Sequence, residues 1–130
     1  MSAPSMPHPA AELIQRYFAA YQRADSAAYA DCWTYPAASY SGGVWRSVAT
    51  AAEMAHDNDA YTRMQRDRGV VGGQIVSLEI QELGKYAASV RGRFTRTDAA
   101  GLVIEQVAAT YLTVLVGGSW RVAVCVVEEP

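Results

Sequence analysis

The longest apolar stretch of the chain runs over residues 103–127, where Val, Ile, Thr, Tyr and Leu stand on both sides of Gly117-Gly118. β-Branched and aromatic residues around a Gly-Gly pair predict a long hairpin with a two-residue primed turn. Such a turn fixes a register. Leu115 should face Trp120, Thr113 Val122, Tyr111 Val124 and Ala109 Val126. The other side should pair Val114 with Arg121, Leu112 with Ala123, Thr110 with Cys125 and Ala108 with Val127. Neither side is polar, so both should be covered. The first side is bulky and the second carries more small residues. The second is therefore expected to face helices and a cavity, and the first a subunit partner. A one-residue change at the turn would exchange them.

Upstream the period changes. Leu13, Ile14, Tyr17, Phe18 and Tyr21 recur at helical spacing after His8-Pro9, predicting an amphipathic helix over residues 9–24. Asp25 or Ser26 should cap a short second helix whose apolar side holds Tyr29, Cys32 and Trp33, with Pro36 ending it. Residues 37–45, around Gly42-Gly43, read as two short strands or a compact turn. Thr50 and Glu53 form a capping box for a third helix to residue 68, with Met54, Tyr61 and Met64 on one face and Gly69 as its stop. Residues 70–83 and 85–97 read as long strands joined at Gly84, the first with a bulge or bend at Gly72-Gly73. A turn at residues 98–101 leads into the C-terminal hairpin.

Helices segregated from strands predict an α+β fold. Strands of ~13 residues would span roughly 40 Å if flat, so they should twist and curl around the helices. The expected architecture is a curved, four-stranded antiparallel sheet, plus short strands, wrapped around three N-terminal helices. Residues 1–8 should be a mobile tail and 9–130 a single domain.

Composition narrows the function. The chain has 130 residues, 51% hydrophobic, with a net charge of −2 and its charges dispersed. That balance argues against nucleic-acid or anionic-membrane partners. The N-terminal segment lacks the apolar run of a signal peptide, and no stretch approaches ~20 apolar residues. Cys32 and Cys125 lack metal-type spacing and read as buried thiols in a reducing cytoplasm, although a disulfide is compatible with their number. No metal or cofactor is expected.

Arg16-Tyr17-Phe18-Ala19-Ala20-Tyr21, followed by Asp25 and Trp33, and Gly118-Ser119-Trp120-Arg121-Val122 near the end, carry a resemblance. With the element order, they resemble the cone-shaped superfamily of nuclear transport factor 2, ketosteroid isomerase, scytalone dehydratase and the SnoaL-like polyketide cyclases. The resemblance covers nearly the whole chain, and its degenerate motifs speak for fold more than for function. In the isomerase branch it places Tyr17 as the donor to an enolate oxygen. It puts Ser41 where the general-base aspartate belongs and Leu112 near the second oxyanion donor, so two of three roles lack a carboxyl group. The dehydratase's two histidines have no counterparts, since Gly69 stands at one position and residues 85–93 contain no histidine. The epoxide hydrolase pattern of Asp, Arg and Asp finds Arg91 or Arg93 but no strand aspartate, with Asp98 in a turn.

Among individual residues, Tyr17 and His56 are the candidate catalytic groups. His56 lies three positions before Asp59, within reach on a helix, and that pair also reads as a solvated surface feature. Tyr17, Trp33, Tyr61, Arg91, Thr110, Leu112 and Cys125 are the candidate ligand-binding residues. Tyr35, Tyr40 and Trp45 could join Trp33 and Tyr61 in an aromatic mouth, although Trp33 and Tyr61 equally suit a core. A buried Arg91 would need a carboxylate, with Glu105 and Glu79 in view. Cys125 has no histidine beside it and reads as packing.

The sequence thus points to a domain that binds a small apolar or amphipathic ligand, dimeric through Tyr111, Trp120, Val122 and Val124 on the outer sheet face. An isomerase, dehydratase or cyclase on a hydrophobic ring substrate is the alternative. A pocketless assembly module is the third.

Overall fold

His8 caps the first helix, its Nδ1 accepting the Ala10 N–H at 3.1 Å, and Pro9 occupies the first turn, where its missing N–H costs nothing. This helix, α1 (Pro9–Gln22), buries Leu13 and Ile14 completely. The computed structural model describes residues 8–128. Residues 1–7, expected as a tail, lie outside the described residues; His8 belongs to the helix cap, and its ring meets Trp120 edge-on with centroids 4.8 Å apart. Asp25 caps α2 (Ser26–Asp31), its carboxylate accepting the Ala28 N–H at 3.1 Å. Thr50 caps α3 (Ala51–Asp67) by accepting the Glu53 N–H at 3.2 Å, and the Glu53 carboxylate reaches back to the Ala49 N–H.

The strands are β1 (Trp33–Ser41), β2 (Val44–Val48), β3 (Gly72–Glu82), β4 (Ala87–Thr97), β5 (Val103–Val116) and β6 (Ser119–Glu128). They form one six-stranded sheet in the order β2-β1-β6-β5-β4-β3. Every neighbouring pair is antiparallel except β1 with β6. The α+β architecture expected from the sequence holds, with helices packed on the concave face of the sheet.

Three local expectations are corrected. Pro36 does not end α2. The helix stops at Asp31 and Pro36 lies within β1, because Trp33 already pairs with Val122 in the sheet. The buried face of α3 is not Met54, Tyr61 and Met64 but Met54, Asn58, Thr62 and Gln65. Asn58 earns its burial by donating to Ser26 Oγ at 2.9 Å, which clasps α3 to α2. Third, the irregularity in β3 falls at Val76, between the Ile75–Phe94 and Ser77–Arg93 pairs. Gly73 serves a close approach instead: a Cβ there would lie 2.1 Å from the Thr95 carbonyl oxygen.

The hairpin decides which residues face the helices. Its turn is as expected, and Leu115–Trp120, Val114–Arg121 and Thr113–Val122 pair as the Gly-Gly register requires. Beyond them Ala123 is an extra residue, so Leu112 meets Val124, Tyr111 meets Cys125 and Thr110 meets Val126. A bulge of this kind turns one strand over relative to the other. The helices lie over Ala109, Tyr111, Thr113, Val122 and Cys125, all buried. The expected assignment of faces is therefore reversed on β5. The bulky side is the concave one, because its aromatic residues fill the space beneath α1: the Tyr111 ring stands edge-on to Tyr17, centroids 5.2 Å apart. Of the four residues assigned to the outer face, Tyr111, Trp120 and Val122 point inward and Val124 alone points out.

Candidate functional site

Burying aromatic residues at the wide end of a curled sheet leaves space that their rigid rings do not fill. Between the concave face and the helices lies a cavity of about 380 Å³. Its buried end is made by Tyr17 of α1, Tyr29 of α2, Trp33 of β1, Tyr111 of β5 and Cys125 of β6. Phe18 and Phe94 stack at 5.3 Å along one wall. Gly92 allows this, since a Cβ there would lie 2.5 Å from the Phe94 ring. The open end is polar, with Arg46 and Asp57 on one side and Tyr61 and Arg96 on the other.

At the buried end the Tyr17 and Tyr29 hydroxyls are 3.0 Å apart. Burial raises both above the ordinary tyrosine value, Tyr17 far above it, so both are neutral at physiological pH. The same cause lifts Tyr111 and pushes the Cys125 thiol up to about 12. These groups offer hydrogen bonds and no charge. The Trp33 indole N–H is buried without a hydrogen-bond partner. At the rim the charges are already matched. Arg46 donates to Asp57 at 2.9 Å. Arg96 lies 3.1 Å from Glu105, donates to the Tyr61 hydroxyl and places its guanidinium 5.6 Å from the centre of that ring. Arg68 joins the same Glu105 at 2.6 Å.

Residues 8–130 match the family described as NTF2-like protein (DUF6841). The chain belongs to that NTF2-like family. Solved structures agree with the fold. An NTF2-like protein of unknown function from Shewanella oneidensis MR-1 is 19% identical, with a TM-score of 0.72 over 93% of this chain and 97% of that one. An NTF2-like protein with a cystatin-like fold from Novosphingobium aromaticivorans is 18% identical, with a TM-score of 0.72 over 89% of this chain and 76% of that one. A ketosteroid isomerase candidate from Shewanella frigidimarina is 14% identical, with a TM-score of 0.70 over 93% of this chain and 95% of that one. No curated protein matches the chain. Among the described residues, no helix is long and apolar enough to cross a membrane.

Within this NTF2-like cone the structure gathers Tyr17, Trp33, Tyr61 and Cys125 around the cavity. It does not bring Arg91, Thr110 or Leu112 there. All three are on the convex face, which follows from the reversal on β5 and from the Arg91–Thr110 pairing. Arg91 finds its carboxylate in Glu128, not in Glu105 or Glu79. His56 is exposed on α3, and its expected partner Asp59 accepts instead from Ser26 Oγ. Of the other aromatic candidates, Tyr35 donates to the Ala30 carbonyl at 2.6 Å, and Tyr40 pairs with Trp45 across β1 and β2. Cys32 and Cys125 are both free thiols.

Tyr29, Asp57, Asn58, Arg96 and Tyr111 are cavity residues that sequence reasoning did not select. Tyr29 had a usable signal, being an aromatic on the inner side of α2. Tyr111 stands on the bulky side of the hairpin, expected from the sequence to face outward. Ser41, which aligns with the isomerase base, lies at the cavity rim, whereas Leu112 points away from the cavity.

Proposed function

We propose that this protein binds a small, largely apolar, ring-bearing molecule that carries one oxygen acceptor. The carrying observation is the Tyr17–Tyr29 hydroxyl pair at the buried end of the cavity. Each hydroxyl has one proton, and closing the pair uses only one of them. A ligand oxygen can take the second proton, competing with the neighbouring Tyr111, and the Trp33 N–H, buried near Tyr29 without a partner at full hydrogen-bond geometry, is a further donor. A volume of about 380 Å³ suits a compact bicyclic ligand. Burial of its rings would contribute about 25 cal/mol per Å² before ordering costs.

The matched pair 1-tetralone and tetralin tests this. The two share a ring system, and only the first has a carbonyl acceptor. Titration followed by tryptophan emission should show tetralone binding on the order of tenfold tighter, the value of one buried hydrogen bond. Because Tyr17→Phe alone would free the Tyr29 proton, the double variant Tyr17→Phe/Tyr29→Phe is the one that should remove most of that preference while retaining tetralin binding. Equal affinity of the native protein for both compounds would refute the reading.

An enzymatic reading rests on Asp57, a carboxylate at the cavity wall. A substrate that drew Arg46 away would free it as a base toward the tyrosine donors. In the ligand-free geometry that carboxylate is occupied by Arg46 at 2.9 Å, which favours binding over turnover.

A second copy is the proposed cover for the convex face. Leu112 and Val114 of β5 stand there with Val124 and Val126 of β6. The adjoining Tyr40 and Trp45 are 41% and 58% exposed, more apolar surface than a solitary domain ordinarily shows in one place.

A further inference from the structure

A second cleft, of about 410 Å³, lies between α1, the end of α2 and the start of β6. Three of its wall residues are arginines. Arg16 lies on α1 and Arg23 at its C-cap, seven positions or about two turns further along. Arg121 comes from the first residues of β6 and is held in place: it donates to the Asp31 carbonyl oxygen and stands 3.7 Å from the Asp31 carboxylate. Arg23 lies 3.5 Å from Asp25 at the rim. Arg16 has no hydrogen-bond or ion-pair partner among the described residues. Three guanidiniums thus face two carboxylates, an excess of positive charge in a chain whose net charge is −2.

The three cations line one cleft. Cys32 is 8% exposed in the cleft wall; burial raises its thiol, Arg16 opposes that, Asp31 adds to it, and Arg121 and Arg23 oppose it more weakly. Ala19, Ala28 and Ser119 keep the space between the arginines open. Trp120 supplies one apolar wall.

We propose that this cleft binds a small phosphate monoester. Guanidiniums approaching from two elements match the oxygens of a tetrahedral dianion better than those of a single planar carboxylate. The cleft is also larger than phosphate alone requires, and the Trp120 wall can receive the organic part of an ester. Arg16 is the group that gains most, since it exchanges water for a counter-charge without giving up a protein partner. This site does not depend on the reading of the cavity, and Tyr17→Phe leaves it intact.

The test uses phenyl phosphate at pH 8, where the probe is a dianion, against sodium chloride at matched ionic strength. The Arg16, Arg23 and Arg121 Nε–Hε resonances should shift together and saturate with phenyl phosphate. R16Q should weaken binding on the order of tenfold, as expected for one charge-assisted hydrogen bond. R63Q, at an exposed arginine of α3 outside the cleft, should leave it unchanged. Because Arg16 is exposed and partnerless, R16Q should fold as the native chain does. Equal shifts with chloride, an unchanged dissociation constant in R16Q, or an equal loss in R63Q would each overturn the proposal.

Discussion

Arg91 on β4 and Glu128 on β6 join across the intervening β5 through two hydrogen bonds of 2.8 and 2.9 Å. The Arg91 guanidinium holds the Glu128 carboxyl below its ordinary range. A lowered folded-state value means that the native form binds its proton later than the unfolded chain. The contribution is complete above the unfolded carboxylate value and is lost as pH falls through the folded one. Carboxylate NMR titration should place Glu128 below the ordinary glutamate value, and Arg91→Gln should bring it back up. No movement of Glu128 in that variant would mean the bidentate pair does not form in solution.

Cys125 supplies the alkaline counterpart. Burial pushes its thiol from 9.0 up to about 12. The native state therefore keeps a proton that the unfolded chain has released, and stability should fall as pH rises from about 9 to about 12. Denaturant midpoints across that range should decline, and Cys125→Ala should flatten the slope whatever it does to the level. In native protein at pH 8 a thiol reagent should label neither cysteine at an appreciable rate, while unfolded protein should react at both. Rapid labelling of Cys125 in the folded chain would contradict its burial.

Gly73 has a backbone obstacle and Gly92 a side-chain one. At Gly73 an added Cβ meets the Thr95 carbonyl oxygen at 2.1 Å, and its own carbonyl holds Gln22 at 2.7 Å. Gly73→Ala should cost about 1–3 kcal/mol, the range for overpacking. Gly92→Ala can be relieved by moving the Phe94 ring into the cavity, so it should cost less and shrink the ligand space. Thermal unfolding of the pair checks the order; a smaller loss at Gly73 than at Gly92 would reverse it.

Thr113 is fully buried and donates to the Ala88 carbonyl at 2.7 Å, binding β5 to β4 beneath the helices. Thr113→Val keeps the shape and removes the donor, and should destabilise by about 1 kcal/mol. Chemical denaturation measures it directly, and an unchanged midpoint would mean that the hydroxyl contributes nothing net.

Val124 tests the convex face. Val124→Lys places a charge among Leu112, Val126 and their neighbours without entering the core. Sedimentation should show the native chain as a dimer and the variant as a monomer of unchanged fold. A native monomer, or a variant dimer, would remove the proposed cover.

How much of this was legible in the sequence varies from element to element. The caps were, because Asp25, Thr50 and Pro9 act through their nearest neighbours. The hairpin turn was, because Gly117-Gly118 restricts the local backbone. The sidedness of β5 was not. It depends on which side the helices cover: room for helices suggests the side with more small residues, whereas the aromatic rings of the bulkier side are what fill the space beneath α1. That one choice places Thr110, Leu112 and, through its pairing with Thr110, Arg91 toward the cavity and Tyr111 away from it. The α3 stripe failed for another reason. Periodicity weighs Met64 above Asn58, yet a polar residue with a partner on a neighbouring helix can take the buried position. Tyr17 and Tyr61 reach the cavity wall through helical spacing, which no strand bulge disturbs, Trp33 reaches it from the start of β1, and the extra residue at Ala123 puts Cys125 on the cavity side of β6.

The three tryptophans are divided among three surfaces: Trp33 lines the cavity, Trp120 walls the arginine cleft and Trp45 lies exposed beside Tyr40. The chain consequently carries its own set of spectroscopic labels. Variants retaining one indole each would report separately on ring-compound uptake, oxyanion capture and self-association, so all three occupancies could be followed in one cuvette without attaching a dye.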